Sequence, residues 1–130
     1  MKKTEVQNIV NKIYPKIKKH YGLSDFYSDF PEVKLHHNIY ARITGIDGME
    51  GDCDPDADFE RDSNTIWIYW PKASSPQWIA ETLLHEYTHY LQDATEMQRM
   101  YNEDGYEYNT HPFELEAIAK EKDWHLFIDI

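Results

Sequence analysis

Two histidines and a glutamate stand in the middle of the chain in the order His85-Glu86-x-x-His89. In a helix, residues four apart lie on the same face, about 6 Å apart along the axis, so both imidazoles can reach one ion. Glu86 lies beside them on the helix surface and can reach a water molecule at that ion without binding the ion itself. The spacing therefore predicts a zinc site that acts on water, with Glu86 as the general base.

The motif requires a helix, and the flanking residues predict one from Pro76 to about Gln92. Ser74 and Ser75 are candidates for the N-cap, and proline is favoured at the first helical position. Apolar residues recur at helical spacing through this segment, which indicates one buried face. They are Ile79, Leu83, Tyr87, Tyr90 and Leu91.

A catalytic zinc site needs a third protein ligand, and three candidates lie close together where a second helix is predicted to begin at Pro112. They are His111, Glu114 and Glu116. Glu116 is favoured because the small residues Ala117 and Ala119 follow it and would let two helices approach closely. His111 comes second. Glu114 comes third, since an acidic residue in the first turn is already explained by the helix dipole. All three alternatives remain open at this point.

The rest of the chain supplies the elements that would position these residues. A capping box at Thr4 and an apolar stripe predict an amphipathic helix over residues 4–20. Alternating apolar residues over 33–44 predict a strand, or a hairpin that turns near His37 and Asn38. Residues 65–70 predict a short strand. Its position just before the motif helix resembles that of the edge strand in zinc peptidases, which implies an edge of the cleft where a substrate peptide could pair in extended form. We expect an α+β fold that forms a single domain over residues 1–130.

An acidic loop is predicted between Gly45 and Asn64. Its alternating aspartates resemble the start of a calcium-binding loop: Asp52, Asp54, Asp56 and Asp58. The resemblance ends at the sixth position, where Ala57 replaces the required glycine, and at the twelfth, where Ser63 replaces the bidentate glutamate. A solvated loop is therefore favoured over a calcium site across residues 50–62. Cys53 lies in the same loop and is interpreted as a spectator thiol.

Composition narrows the classes of partner. The formal net charge is −11, although residues 1–20 hold six lysines and one glutamate. A chain with this excess of negative charge repels nucleic acid, and no apolar run is long enough to span a membrane. The single cysteine is typical of a reducing compartment. We expect a cytoplasmic monomer whose partner is a protein or peptide substrate.

The pattern His85-Glu86-x-x-His89, followed by Glu116-Ala117-x-Ala119, resembles the zincin superfamily in its gluzincin branch. Within that branch it is most similar to the small bacterial and phage metallopeptidases of the ImmA/IrrE type. The resemblance covers about residues 64–120 and implies a minimal zincin-like fold: an N-terminal helix, a small twisted sheet, the motif helix and a C-terminal ligand helix. With His111 as third ligand, the chain would instead look more like an SprT-type zincin.

The resemblance implies that His85, His89 and Glu116 hold Zn²⁺ and that Glu86 is the catalytic acid and base. The predicted activity is hydrolysis of peptide bonds by a zinc-activated water. Tyr106 and Tyr108 are candidate donors to the developing oxyanion, as is His111. The alternative is a zincin-like regulatory or protein-binding module that holds zinc without turnover.

Overall fold

Five α-helices and three β-strands follow one another in the computed structural model, which describes residues 1–51 and 54–128. This mixture confirms the predicted α+β class. The elements in chain order are α1 (Lys3–Tyr21), β1 (Glu32–His36), α2 (Ile39–Thr44), β2 (Ala57–Glu60), β3 (Thr65–Tyr69), α3 (Pro76–Leu91), α4 (Ala94–Glu103) and α5 (Pro112–Lys120). Short 3₁₀ turns lie at Trp70–Lys72, Tyr108–Thr110 and Glu121–Leu126.

The three strands form one mixed sheet in the order β1-β3-β2. β1 runs parallel to β3, with Glu32 opposite Thr65, and β2 runs antiparallel to β3, with Phe59 opposite Ile66. The prediction that residues 65–70 form an edge of the cleft was therefore wrong, because β3 is paired on both sides. Among the described residues, the edge nearer to α3 is β2.

The core lies between α1, α3 and the sheet. α1 contributes a buried stripe, and Pro15 is accommodated inside the helix without ending it. α3 and β3 supply most of the remaining core. The largest fully buried side chains in these elements are Ile17, Ile66, Ile68, Tyr69, Ile79, Leu83, Leu84, Tyr87 and Tyr90. Because α3 is anchored along its buried face, its opposite face is held in a fixed orientation. Across the described chain, no helix has both the length and the apolar content that a bilayer crossing requires.

The segment 33–44 differs from its prediction. The strand ends at His36, and α2 begins at Ile39 instead of a second strand or the far arm of a hairpin. Asn38 is the reason, because its side chain accepts a hydrogen bond from the Ala41 amide (2.7 Å) and so caps the new helix. Gly45 ends that helix at φ 71°, a left-handed conformation that favours glycine.

Part of the acidic loop is a strand, β2, which the sequence analysis did not predict. Its outward carboxylates are held by Arg42 of α2, which bonds Asp58 (2.9 Å) and Glu60 (2.6 Å). Asp54 and Asp56 both lie in ion-pair contact with Lys72. Of the four alternating aspartates, the three described ones therefore have cationic partners, and the solvated-loop interpretation stays a prediction. Asp52 and Cys53 lie outside the described residues.

Candidate metal centre

Helix α3 brings the two motif histidines to one face. Ser75 caps the helix by accepting a hydrogen bond from the Trp78 amide (3.1 Å), and Pro76 occupies its first position. The buried stripe then turns the opposite face away from the core. There the His85 and His89 rings lie edge to face, with centroids 5.1 Å apart. The local sequence of the helix thus determines the placement of both imidazoles.

Glu114 of α5 completes the group. Its carboxylate bridges the two histidines, with Oε1 2.9 Å from His85 Nε2 and Oε2 3.0 Å from His89 Nε2. Candidate donor atoms of the three residues all lie within 4.8 Å of one another. Glu114 is also buried, with only 6% of its surface exposed. Two imidazole nitrogens and a carboxylate that converge in this way could hold a metal ion.

The second nitrogen of each imidazole has its own partner. His85 Nδ1 lies 2.9 Å from Glu121 Oε2, and His89 Nδ1 lies 2.8 Å from the amide oxygen of Gln92. A carboxylate or amide oxygen only accepts, so each Nδ1 carries a proton and donates it. In the neutral imidazoles, Nε2 is then the nitrogen with the free lone pair, and both Nε2 atoms face Glu114. This arrangement fixes the tautomer that a metal ligand needs.

Two further hydrogen bonds fix the orientation of the Gln92 amide. Its Nε2 donates to the Phe113 carbonyl and to Glu116 Oε1, each at 2.9 Å, which leaves its oxygen for His89. Sequence analysis identified neither Gln92 nor Glu121 as a functional residue. The signals available were short spacings: Gln92 is three residues after His89, and Glu121 is two helical turns after Glu114.

Electrostatic interactions in the site follow from burial and close contact. Burial opposes the charged form of His85, but the hydrogen bond to Glu114 and the negative charges of Glu86 and Glu121 outweigh it and raise the pKa of His85 to about 9. Burial likewise opposes ionisation of Glu114, yet the hydrogen bonds from both histidines hold the pKa of that carboxyl well below its usual range. Without metal, His85 and Glu114 are therefore both charged and hydrogen-bonded to each other.

Glu86 has a different environment. It is not a member of the converging group, and burial raises the pKa of its carboxyl to about 7, against the opposing influence of His89 and His85. A carboxylate that titrates near neutral pH both accepts and returns a proton efficiently. Glu86 is therefore suited to proton transfer beside the site.

The favoured third ligand, Glu116, is not the residue that meets the histidines. Glu116 is exposed, and its carboxylate accepts a hydrogen bond from Gln92. Glu114, which ranked last of the three candidates predicted from the sequence, bridges the two histidines. Ala117 is fully buried where α5 packs against α3, so it marks the inward face of α5. Glu114 lies three residues before it on that face, and Glu116, adjacent to Ala117, is rotated away by about 100°. The small residue used to support Glu116 thus supports Glu114.

His111 is held in a structural role. It is fully buried and caps α5: Nδ1 accepts from the Phe113 amide (3.1 Å), and Nε2 donates to the Met97 carbonyl (3.1 Å). The Tyr101 ring covers it, with centroids 4.3 Å apart. Both of its nitrogens are occupied, so it has no free lone pair for a metal or free proton for an oxyanion.

The two candidate oxyanion donors are placed differently. Tyr108 lines both cavities that flank Glu86 and Glu114. Its partial burial, the charge of Glu114 and a hydrogen bond to that carboxylate raise the pKa of Tyr108, so its hydroxyl keeps its proton. Tyr106 packs near His111 and lines neither cavity.

One cavity, of about 240 Å³, lies on the His89 side of the centre, and a second, of about 290 Å³, lies on the His85 side. Both are open to solvent at the surface, and Ala57 of β2 lines both. No strand within residues 1–51 and 54–128 pairs with the outer edge of β2, which runs past the converging group, so an extended chain could lie beside it.

Comparisons of this chain with protein-family models, curated proteins and solved structures give no match in any of the three. The chemistry open to this centre therefore follows from its own geometry. That geometry offers a His-His-Glu group that could hold a metal ion, a separate carboxylate that titrates near neutrality, and an open groove beside both.

Proposed function

We propose that the protein is a zinc-dependent metallopeptidase in which His85, His89 and Glu114 hold the ion. Two nitrogen ligands and one carboxylate are the donor set of many catalytic zinc sites, which keep a further position open. The observation that carries the proposal is that Glu86 lines both cavities beside this group without belonging to it. A site that served only to hold a metal would not need that carboxylate.

A zinc ion held there would act as a Lewis acid on a peptide carbonyl and would lower the pKa of water. Glu86 accepts one proton from the water molecule that attacks the carbonyl carbon. When the C–N bond breaks, Glu86 returns the proton to the leaving amine, which balances the hydrolysis. The Tyr108 hydroxyl donates a hydrogen bond to the carbonyl oxygen as negative charge develops on it.

The substrate is proposed to be a peptide in extended conformation that pairs with the outer edge of β2. This edge replaces residues 65–70 in the role expected from the sequence. The pairing is supported by the position of Ala57 in the walls of both cavities. Main-chain hydrogen bonds to a strand edge place successive side chains on alternate sides, which fits two cavities on opposite sides of one centre.

The decisive experiment compares Glu86→Gln with the wild-type chain. Both proteins should bind one equivalent of zinc, measured by elemental analysis, and only the wild type should cleave a peptide library followed by mass spectrometry. Glu81→Gln is the matched control, because it makes the same change on the same helix at a residue that lines neither cavity and does not belong to the converging group. Equal cleavage by Glu86→Gln and wild type would exclude Glu86 as the base. Zinc binding without cleavage by the wild type would favour the regulatory-module alternative.

A further inference from the structure

The chain has three arginines, and their surroundings differ. Arg42 bonds Asp58 and Glu60, and Arg99 lies in ion-pair contact with three carboxylates of α4 and its C-terminus. Arg61 has no carboxylate in ion-pair contact within the described parts of the chain. This is unexpected for a protein with 24 acidic residues.

Arg61 stands in the wall of the cavity on the His89 side of the metal centre. Within the described chain, its guanidinium makes two long contacts, with the His89 carbonyl at 3.4 Å and the Met97 thioether at 3.5 Å, and it lies over the Phe59 ring at 5.6 Å. An arginine offers five N–H donors. Several of these donors therefore lack a strong partner, while the stem is held against the cavity wall.

The acidic groups of the same cavity do not neutralise Arg61. Asp58 is bonded by Arg42, and Glu114 is engaged by the two histidines. Glu86 is only 8% exposed. The rest of this wall is largely apolar or aromatic, with Phe59, Met97 and Tyr101. An anionic group that entered the cavity would meet one unpaired cation in partly desolvated surroundings, where charge-assisted hydrogen bonds are strong.

The cavity on the His85 side has no counterpart of Arg61. It contains no lysine or arginine among the residues that line it, and its carboxylates Asp56 and Glu121 are in contact with Lys72 and His85. The two sides of the centre therefore differ in charge, and this difference would orient a bound chain.

We propose that Arg61 makes the His89-side cavity selective for a carboxylate of the bound peptide. The carboxylate can be an Asp or Glu side chain beside the scissile bond or the C-terminus of the peptide. The proposal deepens the proposed function and rests on it for the role of the peptide as substrate.

Binding tests the inference without turnover. The Glu86→Gln full-length chain, loaded with zinc and labelled with ¹⁵N, is titrated with three capped tripeptides: acetyl-Ala-Glu-Ala-amide, acetyl-Ala-Gln-Ala-amide, and acetyl-Ala-Gln-Ala with a free C-terminal carboxylate. At least one carboxylate peptide should bind about tenfold more tightly than the neutral peptide. The Nε–H resonance of Arg61 should shift with that peptide, while those of Arg42 and Arg99 stay in place. The carboxylate peptide that binds more tightly identifies the source of the anion.

Arg61→Gln should abolish the preference, and Arg61→Lys, which keeps the charge but loses the planar fork, should retain part of it. Arg99→Gln is the matched control and should leave the preference unchanged. Equal affinity for all three peptides, absence of binding at millimolar concentration, or a preference that survives in Arg61→Gln would overturn the inference. This binding experiment does not depend on hydrolysis. If the peptidase activity fails and the Arg61 inference holds, the chain binds zinc and prefers the carboxylate peptide here, while the wild type shows no cleavage in the separate peptide-library assay.

Discussion

Replacing Glu114 by glutamine removes the negative charge that both motif histidines face, while the shape of the side chain is kept. The carboxylate is 2.9 Å from His85 Nε2 and 3.0 Å from His89 Nε2. It belongs to the His-His-Glu group among the described residues. The substitution should therefore weaken metal binding without displacing the histidines, because Glu121 and Gln92 still hold their Nδ1 atoms.

The size of the expected loss in zinc affinity follows from the number of ligands. A structural zinc site with four ligands is worth about 10–16 kcal/mol in total, so one ligand of such a set contributes roughly 3 kcal/mol. Loss of that contribution raises the Kd by about a hundredfold. Glu116→Gln is the matched control, two residues away on the same helix. Its new amide oxygen can still accept from Gln92, and exposed substitutions change free energies by only about 0.5 kcal/mol, or about twofold in Kd.

The assay is competition for zinc against a chromophoric chelator at fixed pH, with circular dichroism to verify that each variant is folded. The expected order of affinity is wild type, then Glu116→Gln close to it, then Glu114→Gln far below. A large loss in Glu116→Gln together with near wild-type affinity in Glu114→Gln would refute the assignment of the third ligand and restore the preference derived from the sequence.

Four further predictions concern the same centre. At pH 8, zinc binding should release about one proton from His85, because the pKa of His85 in the folded chain is about 9, above its ordinary 6.5. The affinity for zinc should therefore rise with pH until about pH 9. Calorimetry in buffers of different ionisation enthalpy measures the number of protons released. In the metal-free chain, the stabilisation from that raised pKa is complete below pH 6.5 and is lost as pH rises through about 9, which urea titrations at several pH values can detect. Glu121→Gln should weaken zinc binding by about 10- to 100-fold, since it removes the carboxylate that orients His85, and the same chelator competition tests this. Tyr108→Phe should lower kcat by about a hundredfold with zinc content unchanged, as steady-state kinetics and elemental analysis would show.

Several elements could be predicted because their signals are local. Helix 76–92 was predicted from its serine cap, proline and apolar stripe, and the structure places α3 at Pro76–Leu91. The helix predicted over 4–20 is observed at Lys3–Tyr21. The second helix begins at Pro112, as expected. In each case the residues that start the helix and the period of its buried face lie within one short segment.

The errors arose where a short segment is compatible with two structures. Ile39, Ala41 and Ile43 alternate as in a strand, but Asn38 caps them as a helix. The strand β2 lies where a loop is predicted, because it has only four residues and two of them are acidic. Its carboxylates are tolerated because Arg42, distant in sequence, lies against them. Such pairing is decided by tertiary contacts, which no local pattern records.

The spacing of the motif is enough to predict that two imidazoles share one face of a helix and that a carboxylate lies beside them, because helical geometry follows from residue spacing. The sequence also limited the third ligand to three neighbouring residues at the start of α5. The tertiary structure brings one of them, Glu114, to the histidines, because the rotation of α5 about its own axis is set as Ala117 packs against α3. The same packing brings Glu121 and Gln92 to the outer nitrogens, and the sheet order places the edge of β2, instead of β3, beside the candidate metal centre.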